Sequence, residues 1–111
     1  MVRYIDSIDS WNTIINKHEH DGTILVVTFS ADYCSPCKAL AKKLDTMDTL
    51  YGEGVLFFKI DIEEMPEVAN QYKIASIPTT IVTHACEIKH RVMGAHVNPL
   101  VKAIDDVLQH N

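Results

Sequence analysis

The feature that most constrains this chain is a strand-like apolar run that leads directly into two cysteines separated by two residues. Residues 24–29 are apolar apart from one Thr, and Cys34 and Cys37 follow shortly after. Apolar residues then recur at spacings of three and four from Leu40 to Tyr51, which predicts a helix. A helix start has unpaired N–H groups and the positive end of the helix dipole, which stabilise a thiolate. The pattern therefore predicts a redox site in which Cys34 is the acidic, nucleophilic cysteine.

The rest of the chain alternates between strand-like and helix-like segments. The predicted strands cover 3–5, 24–29, 55–61, 79–83 and 88–93. Four helices are predicted. The first has Ser7 as its N-cap and ends near Asp21-Gly22, and the second begins at the cysteines and ends around 51–54. The third begins at Pro66 and ends at about Tyr72, and the fourth begins at Asn98. Strand, helix and strand in succession over 24–61 imply a parallel pair. We expect one α/β domain over residues 1–111, with a central mixed sheet of four to five strands and helices on both faces.

Two details of this prediction depend on turns and caps. His84 to Glu87 separate the last two strands, which fits a hairpin although the turn lacks Gly or Asn. The last helix is predicted to have Asn98 as its N-cap and Pro99 in its first turn. Its buried face is expected to contain Leu100, Val101, Ile104, Val107 and Leu108.

Charge, hydropathy and cysteine count narrow the functional classes. The net charge is −5 without a basic cluster, so nucleic acid is not an expected partner. No run approaches the roughly 20 apolar residues of a membrane span, and the first twenty residues do not have the pattern of a secretory signal or an anchor. Only two of the three cysteines are closely spaced, which does not indicate a framework of structural disulfides. We therefore expect a reducing, cytoplasmic setting.

The six histidines do not form a metal signature, and a zinc site at Cys34 and Cys37 would need a second pair of ligands. His96 follows Gly94-Ala95 and is interpreted as a surface residue. We expect neither a metal nor another cofactor.

The segment Phe29-Ser-Ala-Asp-Tyr-Cys-Ser-Pro-Cys-Lys38 resembles the Phe-Trp-Ala-x-Trp-Cys-Gly-Pro-Cys-Lys block of the thioredoxin family. Two later landmarks also resemble that family, namely Ile77-Pro78-Thr79 and Gly94-Ala95. Their spacing matches too, so the resemblance covers nearly the whole chain. It implies the thioredoxin fold and a protein disulfide reductase that maintains cytosolic protein thiols.

The resemblance also implies roles for individual residues. Cys34 would be the exposed attacking thiolate, and Cys37 would resolve the mixed disulfide, so that no bound cofactor is needed. Pro78 would follow a cis peptide bond. The residues that would shape the site are Thr28, Ser35, Pro36, Lys59 and Pro78. The surface that meets the substrate would consist of Tyr33, Pro36, Ser76, Ile77, Met93, Gly94 and Ala95.

Five residues depart from the family pattern. Thr28 stands where the family usually has a buried aspartate, which predicts slower release of the mixed disulfide or a proton route through water. Ser30 and Tyr33 replace the two Trp residues of the pattern, which reflects either drift or an altered substrate range. Ser35 replaces a Gly, and its hydroxyl either donates to the Cys34 sulfur or faces water. Cys86 is expected to be an exposed free thiol, and is either incidental or able to link two chains.

The expected partners are disulfide-bearing client proteins and an electron donor of the thioredoxin reductase type, with glutathione as an alternative donor. We expect a monomer, with a disulfide-linked dimer through Cys86 as the alternative. Two alternative functions stay open. The first is an interaction module with little redox turnover. The second is an oxidase or isomerase, which would need an oxidising compartment.

Overall fold

The computed structural model describes residues 2–110, and a five-stranded sheet lies at its centre. The strands are β1 (Arg3–Ile5), β2 (Ile24–Ser30), β3 (Val55–Asp61), β4 (Thr79–His84) and β5 (Glu87–Met93). The helices are α1 (Ile8–His18), α2 (Ser35–Tyr51), α3 (Pro66–Gln71) and α4 (Val97–Gln109). In the order β1-β3-β2-β4-β5, the first three strands are parallel and the other two pair antiparallel. The predicted mixed sheet is confirmed.

Helices cover both faces of the sheet, and the central strand shows this most clearly. All seven residues of β2 are buried. Ile24 and Val26 pack in a cluster with residues of α2 and α4, whereas Leu25 and Val27 pack in a second cluster with residues of α1 and α3. Because side chains alternate across a strand, a continuous apolar run is what a doubly covered strand requires.

Tyr51 joins the end of α2 to α4. Its hydroxyl donates a hydrogen bond of 2.8 Å to the Asp105 carboxylate. Burial of the phenol, and secondarily this bond, raises the pKa of Tyr51 to about 12. The contact fixes the helix that carries the cysteines against the last helix of the chain.

Two predicted helix ends were wrong. The first helix ends at His18 rather than at Asp21-Gly22, because the Asp21 carboxylate organises a turn there. That carboxylate accepts the Thr23 N–H at 3.0 Å and contacts the His18 ring at 2.8 Å, and the bond from Thr23 is the main reason that the pKa of Asp21 falls to about 2. The last helix begins at Val97, so its N-cap is His96 and not Asn98.

The predicted buried face of the last helix is only partly correct, since Val101 is half-buried at the edge of the core. Leu108 is 46% exposed, and Ala103 is buried instead, with Leu100, Ile104 and Val107. Pro99 lies in the first turn, where an N–H would have no intrahelical acceptor, so the ring does not cost a hydrogen bond there.

The hairpin between β4 and β5 is tighter than predicted. Both strands extend by one residue, which leaves Ala85 and Cys86 as the turn. Their φ angles are 53° and 62°, the left-handed pair that a type I′ turn requires. The turn therefore forms without the Gly or Asn that usually occupies it.

Replacing Ala85 with Gly is expected to raise the free energy of unfolding by about 0.5–1 kcal/mol. The left-handed conformation costs a residue with a Cβ about 1–2 kcal/mol, and the greater freedom of an unfolded Gly offsets part of that gain. Chemical denaturation measures the difference. Ala39 is exposed on α2, so Ala39→Gly should act in the opposite direction, and stabilisation by both variants or by neither would contradict this account.

Candidate active site

Cys34 is the residue at which β2 and its short connection turn into α2. It is the N-cap of the helix, with φ −90° and ψ 103°, and its sulfur accepts the Cys37 backbone N–H at 3.2 Å. Pro36 lies in the first turn, where its missing N–H removes no helical bond. A backbone amide of the first helical turn, that of Cys37, thus points at the sulfur of Cys34, as the strand-to-helix pattern predicts.

Cys34 and Cys37 are joined by a disulfide, with their Cα atoms 5.2 Å apart. The expectation that Cys34 is exposed was wrong for this state of the protein. Cys34 is 7% exposed and Cys37 is 6% exposed. The N-cap conformation turns the Cys34 sulfur back onto the first turn of α2. There the sulfur contacts both the Cys37 sulfur, to which it is bonded, and the Cys37 backbone N–H.

The sheet surface beneath Cys37 is polar, although the same face is apolar farther away. Thr28 and Ser30 continue the side of β2 that carries Ile24 and Val26, and Lys59 has the register position opposite Thr28 on β3. Thr28 is buried, and its hydroxyl lies 2.9 Å from the hydroxyl of Thr80. The position that holds a buried aspartate in the family pattern is therefore occupied by Thr28, whose hydroxyl pairs with that of Thr80.

A cavity of about 350 Å³ lies between this polar surface and α2. Its lining includes Thr28, Ser30, Lys59 and Cys37, and Asp45 lies on its outer wall. A second cavity of about 180 Å³ shares Cys37 and Lys59 with the first. The sequence does not reveal this space, although the alternation of side chains along β2 and β3 predicts that these polar residues share a face.

The cis-proline loop lies at the same end of the sheet as the cysteines. The Ile77–Pro78 peptide bond is cis, as predicted. Thr79 pairs with Phe29 on one side and with Met93 on the other, and the Gly94 N–H donates to the Pro78 carbonyl at 2.8 Å. Because β4 runs antiparallel to β2, its start lies beside the end of β2 that leads to Cys34. The three predicted landmarks thus converge at one end of the sheet.

The residues predicted to meet the substrate differ in exposure. Tyr33 is 70% exposed and Met93 is 71% exposed, which is unusual for large apolar side chains. The other exposed members of this set are Pro36 and Ser76, whereas Ile77, Gly94 and Ala95 are half-buried. Of the residues predicted to shape the site, Ser35 is exposed and Pro78 is buried. An apolar surface therefore lies exposed at the end of the sheet that carries the disulfide.

Cys86 is not the exposed thiol that was predicted. It is half-buried at the β4–β5 turn, packs against the core cluster of α1 and α3, and donates to the Ile15 carbonyl at 3.4 Å. Burial raises the pKa of the Cys86 thiol, and the negative charges of Glu19 and Asp21 raise it further. The left-handed turn directs the side chain inward, which the sequence alone did not indicate.

Residues 2–110 contain no group of three His, Cys, Asp or Glu side chains that could hold a metal ion. Within the same residues, none of the helices combines the length and the apolar character needed to cross a bilayer.

Comparisons with known proteins agree with this geometry. The Thioredoxin family description matches residues 4–106. A thioredoxin of Echinococcus granulosus is 46% identical over 74 residues, which cover 66% of this chain and 67% of that protein. Thioredoxin H-type 2 of Nicotiana tabacum is 31% identical over 90% of this chain and 84% of its own length. The crystal structure of the thioredoxin NaTrxh from Nicotiana alata gives a TM-score of 0.90 at 30% identity, covering 95% of this chain and 90% of that one.

A mixed sheet flanked by helices, with a close cysteine pair at the start of one helix, is the arrangement of a thiol–disulfide oxidoreductase. The family match spans nearly the whole chain, and the fold and the cysteine pair agree with it. The chain belongs to the thioredoxin family. It is a protein disulfide reductase with a redox-active cysteine pair.

Proposed function

We propose that Cys34 is the attacking cysteine and Cys37 the resolving one, within a single domain over residues 1–111. The observation that carries this assignment is the hydrogen bond from the Cys37 N–H to the Cys34 sulfur at the N-cap of α2. A backbone donor and the helix dipole both stabilise a thiolate at that position. Cys37 lies inside the first turn and lines the cavity below, so its thiol is the inner of the two.

Client proteins would bind across the end of the sheet that carries the disulfide. Tyr33 and Met93 expose apolar surface there, and Pro36, Ser76, Gly94 and Ala95 complete it with smaller side chains. The Ile77 backbone precedes β4 and is proposed to pair with an extended client segment, as in strand addition. Ser35, Pro78, Thr28 and Lys59 would shape the site without contacting the client.

The proposed setting is the cytoplasm, with electrons from a thioredoxin reductase-type flavoenzyme. The family assignment supports this compartment and this electron donor, since H-type thioredoxins are among the relatives of this chain. Reduction of insulin, coupled either to NADPH and a thioredoxin reductase or to glutathione, tests the donor. We expect faster turnover with the reductase, and a chain that accepts electrons only from glutathione would overturn the proposed donor.

We propose that the protein works as a monomer and that Cys86 does not link two chains. Only the thiolate reacts with alkylating reagents, and burial and nearby carboxylates hold the Cys86 pKa above its ordinary value. In the reduced protein, iodoacetamide should therefore modify Cys34 first at neutral pH, with Cys86 reacting appreciably only at a more alkaline pH than an ordinary cysteine requires. Mass spectrometry of peptides measures the order. Rapid modification of Cys86 at neutral pH, or a disulfide-linked dimer that Cys86→Ser removes, would contradict the proposal.

A further inference from the structure

Ser30 places a buried hydroxyl group beneath the disulfide. Ser30 is 2% exposed, and its Oγ is buried without a hydrogen-bond partner among the atoms of residues 2–110. The backbone at this position is paired, because the Ser30 carbonyl accepts the Ile62 N–H at 2.9 Å. Buried polar groups in native proteins pair with protein atoms or with ordered water. The Ser30 hydroxyl therefore marks a site for a small hydrogen-bonding molecule, and water is the simplest one.

The cavity beside Ser30 is suited to hold that water. Its volume of about 350 Å³ exceeds the space that one water molecule requires, and several polar atoms line it. Ser30, Thr28 and Cys37 form the buried wall, whereas Lys59 is half-buried and Asp45 is exposed. Polar groups thus extend from the inner cysteine to the surface of the protein.

We propose that Ser30 is a positioning residue that holds a cavity water beside Cys37, and that this water carries the Cys37 proton toward solvent. The inference deepens the proposed function, because it rests on the role of Cys37 as the resolving cysteine. Thr28 has no carboxyl group, so the side chain below the cysteines cannot act as a base at neutral pH. The positive end of the Lys59 side chain, which lines both cavities, favours the anion that forms when the proton leaves.

In the mixed disulfide, Cys34 is bonded to a sulfur of the client, and Cys37 is a thiol. The Cys37 proton passes to the cavity water, and the resulting thiolate attacks the Cys34 sulfur. The bond between Cys34 and the client breaks, the client leaves as a thiolate that takes up a proton from solvent, and the Cys34–Cys37 disulfide forms. The client is reduced by two electrons and the cysteine pair is oxidised by two.

Besides Cys37, five charged or titratable side chains face the two cavities, and each of them can influence the pH dependence of the proton step. They are Tyr4 on β1, Asp32 before α2, Lys38 and Asp45 on α2, and Lys59 on β3. Asp45 and Asp32 are exposed carboxylates at the outer side. Neither replaces the buried hydroxyl next to Cys37, so removing that hydroxyl should alter the proton step alone.

The test is a single-turnover reaction of the reduced protein with an aromatic disulfide that releases a coloured thiolate twice. The first release reports attack by Cys34, and the second reports resolution by Cys37. In Ser30→Ala we expect the rate of the first phase to be unchanged and the rate of the second phase to fall about tenfold below pH ~8. This loss is smaller than the loss of a direct general base would cause, because Ser30 acts through a water molecule. The difference should shrink at higher pH, where hydroxide removes the proton directly.

Thr83→Val is the matched control, because it removes a buried hydroxyl that donates to the Leu25 carbonyl on another part of the sheet. Its second phase should keep the wild-type pH profile. An identical pH profile in Ser30→Ala and wild type would overturn the role of Ser30. By contrast, a wild-type protein that never gives the second release would refute the proposed role of Cys37 itself.

A measurement on the unaltered protein keeps the inference testable if Ser30→Ala does not fold. Magnetisation transfer from water to protein protons in the reduced wild type should show a bound water beside the β protons of Ser30 and Cys37. The result that overturns the proposal is the absence of such transfer while buried reference waters elsewhere are detected.

Discussion

Replacing Cys34 with Ser is expected to lower the rate of insulin reduction by more than about 10³-fold, the scale on which loss of a covalent nucleophile acts. The helix N-terminus stabilises a thiolate at this position, whereas a Ser hydroxyl stays neutral at the same pH and does not form the mixed disulfide. The assay uses NADPH and a thioredoxin reductase, with turbidity of the reduced insulin chains as the readout.

Cys37→Ser should differ from Cys34→Ser in kind. It keeps the nucleophile and lacks the resolving thiol, so it should accumulate a mixed disulfide with the client that mass spectrometry detects. Cys86→Ser is the control, because its sulfur packs against the α1 side of the core, and it should reduce insulin at the wild-type rate. If Cys34→Ser and wild type reduced insulin at the same rate, the cysteine pair would not carry turnover, and an interaction module would be favoured over a reductase.

Thr28→Asp is expected to accelerate the resolution step by roughly 10- to 100-fold below pH ~8, because it places a general base beneath Cys37. The position is 4% exposed and lines the same cavity as Cys37 and Lys59. Burial raises the pKa of a carboxyl group, which brings the introduced acid closer to the pH at which the protein works. The same two-phase reaction measures the rate and its pH profile.

Thr28→Asn separates the chemical effect from the structural one. Both substitutions break the contact between the Thr28 and Thr80 hydroxyls, which should lower the free energy of unfolding by about 1–3 kcal/mol. Only Asp can accept a proton, so only Thr28→Asp should change the pH profile. Equal rates and profiles for the two variants would show that proton transfer does not limit resolution in this protein.

The two changes beneath the cysteines should also interact. In wild type the proton is proposed to leave through the water held by Ser30, and an Asp at position 28 would offer a direct route. Ser30→Ala should therefore slow resolution in the wild-type background and have little effect in the Thr28→Asp background. Additive effects would place the two residues on independent routes.

Much of the fold was predictable from hydrophobic periodicity. A continuous apolar run at 24–29 indicates a strand covered on both faces, and the order of strands and helices implies the parallel half of the sheet. Helix ends were less predictable, because the Asp21 turn depends on side-chain bonds that compete with the helix. The hairpin turn was also missed in detail, since Ala85 and Cys86 adopt conformations that their residue types disfavour.

The spacing of Cys34 and Cys37 at a strand-to-helix junction was enough to indicate redox chemistry, because the start of a helix provides amide donors wherever it occurs. Which other residues surround that pair depends on contacts between segments distant in sequence. The pairing of β2 with β3 and β4 placed Lys59 and Thr80 beside Thr28. The left-handed turn between β4 and β5 directed Cys86 toward the core, and the packing of α2 over β2 left the Ser30 hydroxyl without a hydrogen-bond partner among residues 2–110. Burial and hydrogen bonding are properties of the assembled sheet and helices, so they became visible only in the folded chain.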